Sequence, residues 1–122
     1  MTTIIIYGIP NWVGPRAIDH LMDNLKDSVQ QPASEVAVFF PADLCPAGLG
    51  EEIICFVWVS QEVELTTALR QRITELVLLT LHSFAVNHMR KCQRAQVVVR
   101  RFNPETDGFA TCDPRLPFQP QR

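Results

Sequence analysis

The sequence repeats the order strand, helix, strand twice, and this repetition limits the possible folds more than any other feature. In the first half, Thr3–Tyr7 and Glu35–Phe40 are apolar and rich in β-branched or aromatic residues, which predicts two strands. Between them, apolar residues recur at spacings of three and four from Pro15 onward, which predicts an amphipathic helix that ends before Pro32.

The second half repeats this order. Glu52–Val59 is a continuous apolar run, typical of a strand with both faces buried. Ser60 is the expected N-cap of a helix that reaches about Phe84. Ala95–Phe102 predicts the last long strand, and the pattern also allows a short strand around Gly108–Thr111.

These elements predict an α+β fold. Because each βαβ unit crosses over right-handedly, each half supplies two parallel strands with a helix on one face. Together they predict a four-stranded mixed sheet with two helices on one face. We expect one domain over residues 1–112, with pseudo-repeats at about 2–43 and 51–104, and a Pro-rich tail over 113–122.

The expected strands are apolar on both faces. Val36, Val38 and Phe40 alternate with further apolar residues, and so do Ile54, Phe56 and Trp58. A two-layer monomer would leave one of these faces in water, and large exposed apolar patches usually mark an interface. The sequence therefore predicts a symmetric oligomer.

Composition and charge exclude several classes of protein. The chain has 122 residues, 47% of them apolar, and a formal net charge of −2, so no overall basic field favours nucleic acid. No apolar run is long enough to span a membrane, and no basic region precedes the first apolar stretch, so a cytoplasmic location is expected. The four cysteines stand far apart without a Cys-x-x-Cys pair, so we expect neither a metal site nor a cofactor, and Cys55 is expected in the core.

Taken together, these features resemble the tautomerase superfamily, with its longer members such as macrophage migration inhibitory factor and carboxymethyl-hydroxymuconate isomerase. The resemblance covers about Thr2 to Phe109. It depends on the strand at the N-terminus, the repeated βαβ units, the segment Val36–Asp43 and the last strand with Val97–Asn103. The sequence is similar to a branch of the superfamily that lacks the N-terminal proline.

The resemblance implies a trimer in which three sheets face a central axis, and an active site at the start of the first strand. In the family, the amine of an N-terminal proline moves protons on enols and keto acids. Thr2 stands at that position, so removal of Met1 would leave a primary amine beside a hydroxyl. Such an α-amine titrates at about 7.7–8.0 and suits general base catalysis. It could also assist its own hydroxyl as a nucleophile, as in N-terminal threonine hydrolases. Alternatively, Thr2 only begins a strand.

The resemblance also implies residues that hold a substrate carboxylate. Gln31 stands where some members carry a lysine, so that charge is absent. Arg100, on the last strand, is the candidate for binding a small carboxylate, and Tyr7 is a second candidate because its hydroxyl could reach a ligand at a subunit boundary. Arg100 and Arg101 should point to opposite faces of the sheet. The basic residues nearby have only Phe102 among them as an aromatic partner, which does not favour nucleic-acid binding.

Three functions remain open at this point. The first is a tautomerase-like protein of weak or lost activity, with Thr2 and Arg100 at an inter-subunit pocket. The second is a non-enzymatic module that binds a ligand or a protein on the same scaffold. The third is a ferredoxin-like regulatory domain, whose sheet would be antiparallel within each half. For the first function, we expect a Thr2→Pro variant to be more active on phenylenolpyruvate because only the amine would change.

Overall fold

The computed structural model describes residues 1–41, 50–103, 105–107 and 113–118. Within these residues, four strands and two α-helices follow the expected order, and a single 3-10 turn over Ala33–Glu35 precedes the second strand. The elements are β1 (Thr2–Tyr7), α1 (Pro15–Ser28), β2 (Val36–Phe39), β3 (Glu52–Val59), α2 (Thr67–His88) and β4 (Arg94–Arg101).

The four strands form one mixed sheet in the order β2-β1-β3-β4. β1 and β2 are parallel, β3 and β4 are parallel, and the two halves meet where β1 runs antiparallel to β3. The predicted α+β fold is confirmed. Each half contributes two adjacent parallel strands, which differs from the split βαβ units of a ferredoxin-like domain, whose sheet is antiparallel between neighbours.

One side of the sheet packs against both helices, and we call it the helix face. β3 alternates strictly between buried and half-buried residues, with its buried side chains on this face. Burying these side chains removes apolar area from water, which stabilises the folded state by about 25 cal/mol for each Å² buried. The fully or almost fully buried core comprises Ile4, Ile6, Ile53, Cys55, Val57 and Val59 from the sheet, Leu21 and Leu25 from α1, and Ile73, Val77 and Leu81 from α2.

The second helix begins later than the sequence predicted. Its N-cap is Thr66, whose hydroxyl accepts a hydrogen bond of 3.1 Å from the backbone N–H of Leu69. The expectation that Ser60 caps this helix is wrong, because the Ser60 carbonyl instead closes a turn by accepting from the N–H of Val63. The helix also continues one turn past Phe84, to His88.

The other side of the sheet is apolar and uncovered by the described residues, and we call it the open face. Its register places Ile5 beside Phe56 and Tyr7 beside Ile54. Tyr7, Phe39 and Val98 are 45%, 55% and 39% exposed there. The remaining apolar members of the open face are Ile5, Ile54, Phe56 and Trp58, all half-buried. The prediction of two apolar faces is confirmed for β3 and for β2, in which Val36 is buried on the helix face and Phe39 is exposed on the open face.

Gly8 fixes the turn that follows β1. Its φ is +97°, a conformation that side chains with a Cβ rarely adopt, and a Cβ built there would lie 2.0 Å from the carbonyl oxygen of Glu52. This close approach lets the chain leave β1 directly beside the start of β3.

Two further expectations concern the C-terminal part of the chain. The short strand around Gly108–Thr111 lies outside the described residues. In the tail, Asp113 and Arg115 form an ion pair of 2.8 Å, and Leu116 and Phe118 are exposed. Over the described part of the chain, neither helix combines the length and apolar character that crossing a membrane requires.

Candidate active site at the start of the first strand

Thr2 is completely buried, and its hydroxyl is already engaged. The Thr2 Oγ1 atom donates a hydrogen bond of 2.6 Å to the Oε1 atom of Gln31 and accepts one of 3.1 Å from the backbone N–H of Ser60. Because β1 alternates, Thr2 shares the helix face with Ile4 and Ile6. The hydroxyl therefore joins the end of β3 to the segment after α1, which does not favour its use as a nucleophile.

Gln31 is the polar partner that fixes Thr2 from the other side. It follows Gln30, whose φ of 60° turns the chain after α1. The Nε2 atom of Gln31 is buried and has no hydrogen-bond partner among the described residues. Leaving a buried amide donor unpaired costs about 1–3 kcal/mol, so the bond from Thr2 to this amide is a sensitive point of the structure.

A pocket of about 320 Å³ opens beside the start of β1, and we call it the N-terminal pocket. Aromatic side chains from β3 and from the segment after β4 form part of its wall, and Glu62 supplies a carboxylate. Met1, which is 71% exposed, also lines it. The full lining is Met1, Thr3, Trp58, Val59, Ser60, Gln61, Glu62 and Phe102.

Arg100 lies close to this pocket without lining it. It pairs with Trp58 in the register of β3 and β4, and its Cζ atom lies 5.1 Å from the centre of the Trp58 ring, a cation–π contact. Arg101 points to the other face of the sheet and donates a hydrogen bond to the carbonyl oxygen of Gln61. Arg94, at the start of the same strand, is paired with Glu52 at 2.9 Å. Arg100 thus keeps its charge free of any carboxylate in the described residues.

Tyr7 lies at the opposite end of β1. Five residue steps at about 3.3 Å place it about 17 Å from Thr2 along the strand. Its ring meets Phe56 edge-on, with the ring centroids 6.1 Å apart, on the open face. The structure therefore brings Thr2 and Arg100 to one end of the sheet and leaves Tyr7 at the other end within a single chain.

Comparisons with known proteins identify the fold. No family model and no curated protein sequence matches this chain. Solved structures do match. A fused 4-OT, an asymmetric trimer, has a TM-score of 0.63 at 13% identity, covering 88% of this chain and 91% of that chain. A 5-carboxymethyl-2-hydroxymuconate delta-isomerase has a TM-score of 0.62 at 9% identity, covering 89% and 87%. A member of the cis-3-chloroacrylic acid dehalogenase family, N1, has a TM-score of 0.57 at 14% identity, covering 88% and 79%.

The chain has the tautomerase fold. The resemblance recognised in the sequence is therefore confirmed at the level of the fold, on structures whose sequences share little with this one. In this tautomerase fold the first strand begins at Thr2 and stands in the middle of the sheet, between β2 and β3. The start of β1 consequently lies between the ends of its neighbours, where residues distant in sequence can converge on it.

Sequence reasoning missed several residues that this tautomerase fold places around the N-terminal pocket. Ser60 was predicted to cap a helix that would have included Glu62, and Phe102 was considered only as an aromatic neighbour of basic residues. The antiparallel pairing of β1 with β3, which sets Thr3 opposite Trp58, brings the segment after β3 to the N-terminus. An indication was available, because two βαβ halves joined into one sheet favour this central pairing.

The structure also corrects the expected effect of Thr2→Pro. Proline would change more than the amine, because it would remove the hydroxyl that binds Gln31 and the N–H of Ser60. A variant that lacks the hydroxyl but keeps the primary amine is needed for comparison, and Thr2→Val provides it.

Neither the thiol of Cys55 nor a metal cluster offers an alternative centre in the described residues. Burial raises the pKa of the Cys55 thiol to about 12, so this cysteine stays protonated and unreactive, as expected of a core residue. No group of three or more His, Cys, Asp or Glu side chains in the described ranges is arranged to hold a metal ion. Cys45 and Cys112 lie outside these ranges.

Proposed function

We propose that this chain is a tautomerase-like protein that binds small enol or keto acids and moves their protons slowly, with the α-amine of Thr2 as the base. The observation that carries this proposal is the pocket at the start of β1, which Met1 lines directly. Removal of Met1 would place the amine of Thr2 at the wall of this pocket. Threonine is small enough at the second position to permit that removal.

The pocket explains why the expected activity is weak. A primary α-amine titrates at about 7.7–8.0 when unperturbed, so it is largely protonated at neutral pH. A proline amine in the family is held in an apolar pocket, which lowers its pKa by desolvation. Here Glu62 lines the same pocket, and a carboxylate favours the charged form of an amine. Less free base is therefore present than in the proline enzymes.

We further propose a homotrimer in which the open face is buried and neighbouring chains complete each pocket. The open face of one chain exposes Tyr7 and Phe39, as an unfilled interface would. A fused 4-OT with the same fold is described as a symmetric trimer. In such an assembly, Tyr7 or Arg100 of one chain can reach the N-terminal pocket of the next, and Arg100 binds the substrate carboxylate there.

One observation favours a second candidate, a non-enzymatic binding module. The N-terminal pocket of the described chain is lined by one carboxylate and by no cationic side chain. Gln31 stands where a lysine would supply that charge, and its uncharged amide accepts a hydrogen bond from Thr2 through Oε1. If no neighbouring arginine compensates, the pocket binds an uncharged or cationic ligand and transfers no proton.

The two candidates are separated by the ketonisation of phenylenolpyruvate, measured for the wild type, Thr2→Val and Thr2→Pro after intact mass has established whether Met1 is removed. The proposal predicts slow turnover by the wild type, similar turnover by Thr2→Val and faster turnover by Thr2→Pro. Absence of turnover in all three folded proteins would reject proton transfer and favour the binding module.

The trimer is tested by analytical ultracentrifugation, which should give a mass three times that of one chain. A monomer at micromolar concentration would contradict the shared pocket. The cytoplasmic location expected from the sequence stays a prediction.

A further inference from the structure

A second concave site lies at the end of β4, away from the start of β1. It is a groove of about 610 Å³, within the range of small-molecule sites. Three arginines and one glutamate contribute to it, but the side chain of Arg100 points to the open face and lies over Trp58, so Arg70 and Arg101 supply the positive charge. We call it the arginine groove, and its lining is Arg70, Val99, Arg100, Arg101, Phe102, Asn103 and Glu105.

The arginines of this groove have no carboxylate partner in the described residues. The two ion pairs found there join Arg94 to Glu52 and Arg115 to Asp113, and neither includes a member of the groove. Arg101 donates to a backbone carbonyl, and Arg100 lies over an aromatic ring. The carboxylate of Glu105 lines the groove but forms no ion pair with any of these arginines. The groove therefore holds uncompensated positive charge.

Arg70 is placed where a cation is unfavourable. It lies in the first turn of α2, which begins at Thr67 and contains no acidic residue in that turn. The helix dipole is positive at this end and stabilises anions there. An arginine at this position adds to the positive potential. A bound anion would be attracted both by the charge of Arg70 and by the positive end of the helix dipole.

We propose that the arginine groove binds a phosphomonoester of a small organic molecule, with Arg70 and Arg101 as the main phosphate ligands. The phosphate group carries a charge of about −1.5 to −2 at pH 7 and three acceptor oxygens, which suit two guanidinium groups, those of Arg70 and Arg101. Guanidinium groups bind such oxygens through paired N–H donors. The apolar side chains of Val99 and Phe102 face the organic part of the ester.

This proposal is independent of the proposed function, because Arg70 and Arg101 do not line the N-terminal pocket. Phe102 lines both cavities, so the two sites are neighbours and must be distinguished experimentally. Glu62→Gln serves that purpose, since Glu62 lines the N-terminal pocket and does not line the arginine groove.

The test is calorimetric titration of the full chain with phenyl phosphate and with phenyl sulfate, which has the same shape and one negative charge. We expect phenyl phosphate to bind at least about tenfold more tightly, and its affinity to fall as pH decreases through about 6, where the phosphate gains a proton. Arg70→Gln should weaken phenyl phosphate binding by about tenfold or more, as expected for the loss of charged hydrogen bonds. The matched control Arg72→Gln, an exposed arginine on the same helix that does not line the groove, should change it by less than about twofold.

Several results would overturn the proposal. Equal affinity for the two probes, or equal weakening by Arg70→Gln and Arg72→Gln, would show only a general attraction of anions. A change in phenyl phosphate affinity in Glu62→Gln as large as that in Arg70→Gln would assign the ligand to the N-terminal pocket. A phosphoserine peptide that binds more than about tenfold more tightly than phenyl phosphate would show that the groove recognises a protein. Arg70→Gln, Arg72→Gln and Glu62→Gln are first checked for an unchanged thermal unfolding midpoint.

Discussion

The hydroxyl of Thr2 gives the most direct test of how the start of the chain is held. Thr2→Val removes the oxygen while keeping the shape and volume of the side chain, so packing around β1 is preserved. Two hydrogen bonds are lost, one of 2.6 Å to Gln31 and one of 3.1 Å from the N–H of Ser60. Since the Nε2 atom of Gln31 already lacks a partner, the whole amide is then left unpaired among the described residues.

The expected cost follows from these two contacts. Each hydrogen bond contributes about 0.5–1.5 kcal/mol net, and a buried group left unpaired costs about 1–3 kcal/mol. Ser60 is half-buried, so water replaces part of its loss, whereas Thr2 itself is fully buried. We expect Thr2→Val to reduce the free energy of unfolding by about 2–3 kcal/mol.

The measurement is urea denaturation followed by circular dichroism, at one fixed protein concentration because any oligomer makes stability concentration-dependent. The matched control is Thr67→Val, an exposed threonine at the start of α2, which should change stability by less than about 0.5 kcal/mol. If Thr2→Val were as stable as the control, the hydroxyl would not hold Gln31 and Ser60 in solution, and the description of this site would be wrong.

Three further predictions concern the fold. Gly8→Ala should destabilise the protein by about 2 kcal/mol or more in the same assay, because its Cβ would meet the Glu52 carbonyl at a φ of +97°. The control Gly14→Ala, with nothing within 4 Å of its Cβ, should change stability by less than about 0.5 kcal/mol. Similar losses of stability in both variants would contradict this prediction. Burial raises the pKa of Cys55 from 9.0 to about 12, so the thiol loses its proton at lower pH in the unfolded chain than in the folded one. The free energy of unfolding should therefore fall as pH rises through that interval, by up to about 1.4 kcal/mol per pH unit. Cys55→Ala should lack this contribution, and identical pH profiles of stability for the two proteins would refute the prediction. Val98→Glu puts a charge on the open face, at a residue that is 39% exposed in one chain, and should give a folded monomer by ultracentrifugation. The control Leu79→Glu, at an exposed position on α2, should keep the oligomer. An unchanged mass for Val98→Glu would exclude the open face as the interface.

Periodicity was sufficient for most of the fold but not for the start of α2. Val63 and Leu65 continue the apolar pattern upstream of the helix and are half-buried, so they resemble helical core positions in sequence. The turn closed between Ser60 and Val63 occupies the expected helical start, and Thr66 provides the cap that the backbone needs. Local capping geometry, which periodicity does not contain, decides this boundary.

The candidate site was predictable only in part for a similar reason. Alternation along β1 places Thr2 with Ile4 on the helix face, which could have indicated its burial. Its partners Gln31 and Ser60 are 29 and 58 residues away, so their contacts arise from the tertiary structure alone. The position of Tyr7 relative to the N-terminal pocket of another chain depends on an assembly that one sequence does not specify.

The measurement that tests the central claim most directly is the pH dependence of phenylenolpyruvate ketonisation by the protein lacking Met1, compared with the same protein acetylated at its α-amine. We predict a rate that rises with pH through a single pKa at or above that of a free α-amine, about 7.7–8.0, and that is lost on acetylation. A rate that does not depend on pH, or one that survives acetylation, would contradict the assignment of the Thr2 amine as the base.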